Sequence, residues 1–148
     1  MNGKEMIQLK KLLIVLLSVF VLAACSDSEP ETAEEVVKNV VADEFVIEEN
    51  EGNKVTVTIN AVKAHEGSRQ SFTKDSAEIF AGLDKIGVEA VTINWNAPLM
   101  DQYGNEKMET VLSIMLDADT FAKVDWSNYE QLDLEAIAYG YKKHDALK

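Results

Sequence analysis

The chain has one cysteine, two histidines and two prolines in 148 residues, and its basic side chains are few: 14 Lys and Arg against 26 Asp and Glu, a net charge of -12. Each shortage closes off a class of chemistry. A single thiol cannot form an internal disulfide, so the fold must rest on its core alone. One Cys with His65 and His144 cannot furnish a zinc site of several nitrogen and sulfur ligands, and no His-Glu-x-x-His or Cys-x-x-Cys spacing occurs. There is no Gly-x-Ser-x-Gly elbow, no phosphate-cradling glycine loop and no dinucleotide fingerprint, so neither a catalytic constellation nor a cofactor is legible. The acidic balance, without a basic patch interleaved with aromatics, excludes nucleic acid as a partner. Long apolar runs are also missing: the uncharged stretch 12–25 spans 14 residues, whereas a helix crossing the hydrocarbon core needs roughly 20.

What that short stretch does carry is an export signal. Lys4, Lys10 and Lys11 form a basic segment, residues 12–21 an apolar one, and Leu22-Ala23-Ala24-Cys25 follows directly. Met6 is an alternative start to Met1, since a segment beginning there keeps Lys10 and Lys11. The tetrapeptide resembles the lipobox of bacterial lipoproteins. That resemblance implies a signal peptide over 1–24, cleavage after Ala24, a diacylglyceryl group on Cys25, and a protein anchored to the cell membrane on its extracytoplasmic face. Two acyl chains suffice for stable anchoring, so the domain itself needs no membrane affinity. Loss of three lysines and one glutamate with the signal peptide takes the net charge from -12 to -14. Such a surface repels anionic lipid and serves either solubility or a cationic partner, whether peptide, protein or metal ion.

The organisation of the rest follows from composition and periodicity. Residues 25–32, with Ser-Asp-Ser-Glu-Pro-Glu-Thr after the cysteine, read as an acidic tether. Residues 33–148 are a normal length for one domain. Valines 36, 37, 40 and 41 at helical spacing predict a helix over 33–43, with Glu34 and Glu35 in its first turn. Residues 44–49 and 54–62 alternate around Asn50-Glu51-Gly52-Asn53, a hairpin with one buried face. A stripe of Phe72, Ser76, Ile79, Phe80, Leu83 and Ile86 predicts a second helix over 73–86, closed by Gly87. Residues 88–96 and 107–116 alternate again and predict a second hairpin joined by a long connection through Gly104-Asn105. Asp117 is placed to cap a short helical turn and Asp133 a last helix bearing Leu134, Ile137, Ala138 and Tyr141. The expected architecture is α+β, in the order α-β-β-α-β-β-α, with a four-stranded, mainly antiparallel sheet covered by helices on one face.

Candidate contact residues are aromatic. Trp95, Tyr103, Trp126 and Tyr129 suit either a recognition surface or the core and its rim. Tyr141 and His144, three apart, would share one side of the last helix, where a histidine near the C-terminus is also favoured by the dipole. Asp117, Asp119 and Asp125 supply oxygens of the kind calcium takes, but the spacing and turn glycine of an EF-hand loop are missing, and capping explains them better. No metal ligand set is assigned.

The run 95–105, Trp-Asn-Ala-Pro-Leu-Met-Asp-Gln-Tyr-Gly-Asn, followed by Leu116, Thr120, Val124, Trp126, Asn128, Tyr129, Ile137-Ala138, Tyr141 and His144, resembles a pattern in small uncharacterised lipoproteins of Gram-positive bacteria. That resemblance covers about the last 55 residues and implies a location and a fold rather than an activity. The leading expectation is a non-catalytic interaction module that binds a protein or envelope component through a sheet face or the 98–105 loop. An immunity or exclusion protein acting against a toxin or an incoming element is one version of it. A small-ligand or metal sensor is the next class, and a carboxylate-dependent hydrolase the last, because no spacing predicts two acids facing each other roughly 5 to 9.5 Å apart.

Overall fold

In the computed structural model, which describes residues 28–65 and 67–147, the chain folds around one five-stranded sheet with helices packed on a single face. Residues 1–27, on which the expected signal peptide, the lipidation of Cys25 and the start of the expected tether fall, lie outside the described residues. Among the described residues no helix is long and apolar enough to cross a membrane.

Helix α1 (Ala33–Val40) starts where Thr32 accepts a hydrogen bond from the Glu35 amide, and it buries Ala33, Val36 and Val37. Strands β1 (Glu44–Asn50) and β2 (Lys54–Asn60) form the expected antiparallel hairpin, with Gly52 and Asn53 at positive φ in its turn. Helix α2 (Ser68–Lys85) begins five residues earlier than its apolar stripe suggested. Gly67 enters at φ 90°, the Ser68 hydroxyl accepts from the His65 amide at 2.8 Å, and the Ser68 amide donates to the His65 carbonyl at 3.0 Å. This reciprocal clasp organises the first turn without a conventional side-chain cap.

Strands β3 (Ala90–Met100) and β4 (Glu106–Leu116) are eleven residues each and pair antiparallel, with a bulge beside Trp95 and Asn96. The connection is shorter than expected, because residues 98–100 continue β3 rather than forming loop. A short helix α3 (Ala118–Phe121), a 3-10 segment (Trp126–Gln131) and a one-turn helix α4 (Leu134–Ile137) follow, capped by Asp117, Asp125 and Asp133.

Two expectations need correction. The sheet has five strands in the order β1-β2-β3-β4-β5, and it is mixed, because α2 crosses over so that β2 and β3 run parallel. The fifth strand, β5 (Gly140–Lys143), occupies the second half of the expected last helix. Tyr141 pairs with Ile114 across the open edge of β4, a tertiary opportunity stronger than the helical spacing of a short segment. Tyr141 and His144 therefore do not share a helix face.

The core lies between the sheet and α1, α2 and the C-terminal helical turns. Val57, Ile59, Ile93, Trp95, Ile114 and Leu116 face Val37, Phe72, Ile79, Phe80 and Leu83, all buried. Trp95 stacks on Phe72 with centroids 4.2 Å apart, and its indole nitrogen donates to the Ser76 hydroxyl at 2.9 Å, which in turn donates to the Phe72 carbonyl at 2.7 Å. Phe80, Phe121 and Trp126 form a second aromatic knot, where the Trp126 indole donates to the Phe121 carbonyl at 3.2 Å.

Candidate functional site

Among the described residues all the helices pack on one face of the sheet, so the period-two alternation of the strands leaves the opposite face without cover from them. Three rows cross it: Glu48, Thr56, Thr92 and Met115; Val46, Thr58, Asn94, Ser113 and Lys142; Glu44, Asn60, Asn96 and Thr110. The middle of this surface is uncharged and built from amides and hydroxyls. Asn96 donates through Nδ2 to the Asn60 side-chain oxygen at 3.1 Å, Thr110 donates to Asn96 Oδ1 at 2.8 Å, and Ser113 donates to Asn94 Oδ1 at 2.7 Å. These bonds tie three strands together, each pair contributing roughly 0.2–1 kcal/mol. They also fix the amides as an ordered array of further donors and acceptors.

The β3–β4 hairpin continues past this array. β2 ends at Asn60, the Ala61 amide closes onto the Asn96 carbonyl, and β5 pairs no further along β4 than Leu112. From Ala97 onwards β3 has lost its β2 neighbour, which is why Pro98, with no amide to donate, is accommodated there. Ala97 and Leu99 turn inwards. Pro98, Met100 and Met108 carry on the open face, with Met100 72% and Met108 47% exposed. The tip is held by Asp101, whose carboxylate accepts from the Tyr103 and Asn105 amides, each at 2.8 Å, and from Asn105 Nδ2 at 3.0 Å. The Asn105 side chain and amide, more than any neighbouring charge, hold that carboxyl below its usual range. Tyr103 stands on the resulting turn, 80% exposed. Two methionines and a tyrosine on a pinned hairpin make an adaptable apolar contact beside a polar array.

A groove of about 860 Å³ lies on the helix side, between the start of α2, the 3-10 segment, α4 and β5. Tyr129 and Tyr141 both line it, together with Arg69, Lys74, Glu130 and Glu135. Arg69 pairs with Glu135, and Tyr141 followed by Glu135 raises the guanidinium above its ordinary value. Glu78 raises the Tyr129 phenol for the opposite reason, by repelling a second negative charge.

The six aromatic and histidine candidates thus separate. Trp95 and Trp126 are core anchors, 1% and 7% exposed, and present no surface to a partner. Tyr103 stands alone at the hairpin tip, Tyr129 and Tyr141 line the same groove, and His144 follows β5, accepting from the Ala146 amide. Asp117 and Asp125 spend their carboxylates on the Thr120 and Ser127 amides as caps. Among the described residues no three His, Cys, Asp or Glu side chains come together as a metal-holding group. Reasoning from sequence missed Asn94, Asn96, Thr110, Ser113 and Met108 as one surface. The available signal was the polar half of the alternation in residues 92–96, which matches that of residues 56–60. Compared with known proteins, the chain matches no family model, no curated protein and no solved structure.

Proposed function

We propose that the protein is a non-catalytic interaction module, held by a lipidated Cys25 on the extracytoplasmic face of a Gram-positive cell membrane, which binds a protein or envelope component through the open sheet face and the β3–β4 hairpin. The observation that carries this reading is the hairpin itself. It outruns both neighbouring strands and displays Met100, Tyr103 and Met108 on an ordered turn, at the border of an uncharged hydrogen-bonding array. Interfaces place adaptable apolar and aromatic side chains at their centre and polar groups around them. The anchor supplies membrane retention, leaving this face for recognition. In the immunity or exclusion version of the role the partner is a basic toxin, which the strongly acidic domain would attract.

The test is photo-cross-linking from position 103 in cells carrying the full chain. The expected result is one enriched partner, lost when Met100 and Met108 are replaced together by serine in the chain carrying the same cross-linker, while the Cys25→Ser form leaves the membrane fraction. Recovery of nothing beyond what the serine variant recovers overturns the reading. The groove lined by Tyr129 and Tyr141 favours a second reading, a small-ligand sensor, for which ligand-dependent thermal stabilisation abolished by Tyr141→Ala is the distinguishing result.

A further inference from the structure

The sheet has two edges, and they differ. β5 offers four residues, whereas β1 offers seven, and among the described residues every backbone partner of β1 lies on β2. An edge strand of that length presents a row of amide and carbonyl groups able to pair with another chain. Its side chains are also incompletely covered. Phe45 and Ile47, whose β2 neighbours Ile59 and Val57 are fully buried, remain only half-buried on the helix face, and Val46 is exposed on the other. The missing cover is what one more strand would supply.

The charge on this edge selects the occupant. Residues 43–51 read Asp-Glu-Phe-Val-Ile-Glu-Glu-Asn-Glu, five acids and no base. Glu44 and Glu48 flank Val46 on the open face, while Glu49 follows Phe45 and Ile47 on the helix face. A second copy of β1 would bring glutamates against glutamates, so self-pairing is opposed. We infer that the outer edge of β1 takes an extended, basic segment of a partner protein as a sixth strand. Main-chain hydrogen bonds would give it its hold, and side chains its selection. A strand adjacent to β1 repeats its alternation, so the fitting pattern is basic opposite Glu44, apolar opposite Phe45, free opposite Val46, apolar opposite Ile47 and basic opposite Glu48. The acids thereby do two things at once, refusing a like edge and attracting a complementary one.

The inference rests on the interaction role proposed above and names the partner's chemistry. It is tested with the full chain in non-ionic detergent and a nine-residue peptide, Lys-Val-Thr-Val-Lys-Val-Thr-Val-Lys, followed by fluorescence anisotropy and by amide hydrogen exchange. Binding is expected to slow exchange within residues 44–50 first. The Glu44→Lys/Glu48→Lys chain is expected to lose at least tenfold in affinity for this peptide and to gain the counterpart in which glutamate replaces each lysine. Equal binding by both chains, protection confined to the 100–108 hairpin, or no binding at millimolar peptide overturns the assignment. Failure here is separable from failure of the wider role. A charge-reversed chain that still cross-links its cellular partner from position 103 removes the edge from the account and leaves the module standing.

Discussion

Helices α1 and α2 touch where Gly82 faces Val36, and that contact makes a prediction whose sign changes with its neighbour. Gly82 is inside a helix, so alanine there should stabilise by about 0.8–1.0 kcal/mol through propensity alone. A β-carbon built on Gly82, however, would lie 2.5 Å from Cγ1 of Val36, 3.5 Å from its Cγ2 and 3.6 Å from its Cβ. Valine in a helix holds one χ1 rotamer almost exclusively, and Val36 is 3% exposed, so it cannot swing clear. Overpacking of this kind costs about 1–3 kcal/mol, and the net effect of Gly82→Ala is therefore a loss of roughly 0–2 kcal/mol. In a Val36→Ala background the obstructing methyls are gone, and the same substitution should now gain about 1 kcal/mol. The coupling between the two sites is accordingly on the order of 1–3 kcal/mol. Urea denaturation of the four proteins of this cycle measures it directly. If Gly82→Ala stabilises equally in both backgrounds, α1 does not pack on α2 through this contact, and the placement of the first helix is wrong.

Four further outcomes follow from the same geometry. Ser76→Ala leaves the buried Trp95 indole N–H without its acceptor and should lower stability by about 1–3 kcal/mol, read by chemical denaturation; a loss below about 0.5 kcal/mol would contradict the bond. Asp117, whose carboxyl is held below its ordinary 3.8 by the hydroxyl and amide of Thr120, stabilises the fold above that pH, and the contribution is lost as pH falls through the lower folded value. Melting temperatures of Asp117→Asn and the parent should therefore differ at pH 7 and converge in acid. Asp75 is displaced the other way, raised first by burial and then by Glu78, so Asp75→Asn should raise the melting temperature at pH 7 and lose that advantage as pH falls below the raised value towards 3.8. Replacing Met100 and Met108 by serine should leave the melting temperature within a few degrees of the parent, because exposed side chains contribute little to stability, while abolishing partner cross-linking from position 103.

Local signals were enough for most of the elements. Alternation in 54–60 and 90–96 names strands whatever surrounds them, because one face of each must be buried. The carboxylates of Asp117 and Asp133 were read correctly as caps, since an aspartate before an apolar turn satisfies amides that nothing else can reach. Two hairpins and two of the helices were thus legible from neighbours in the chain. The parallel pairing of β2 with β3 was not, because that register is set by how an eighteen-residue helix returns the chain across the sheet, a constraint invisible in either strand. The same applies to the start of α2, where the clasp between Ser68 and His65 replaces the aspartate, serine or threonine cap that a reader looks for.

The C-terminal segment shows most clearly what limits such reading. Leu134, Ile137, Ala138 and Tyr141 keep a helical spacing, yet the helix stops at Ile137 and Gly140 opens a strand. A helix of two turns gains little by itself, whereas β4 would otherwise expose an unpaired edge from Leu112 to Met115. Pairing Tyr141 with Ile114 covers that edge and leaves the Tyr141 ring beside Arg69 and Glu135 at the groove. The tyrosine was singled out as a contact residue on the premise of a helix, and it arrives at a groove by way of a strand. The candidate surfaces share this origin. The amide array needs three strands in register, the projecting hairpin needs β2 to end before β3, and the uncovered acidic edge exists only because nothing in the described chain pairs with β1. Each is a property of which strands adjoin, so residues that look like the ordinary polar half of an alternating pattern acquire a role only once the order β1-β2-β3-β4-β5 is known.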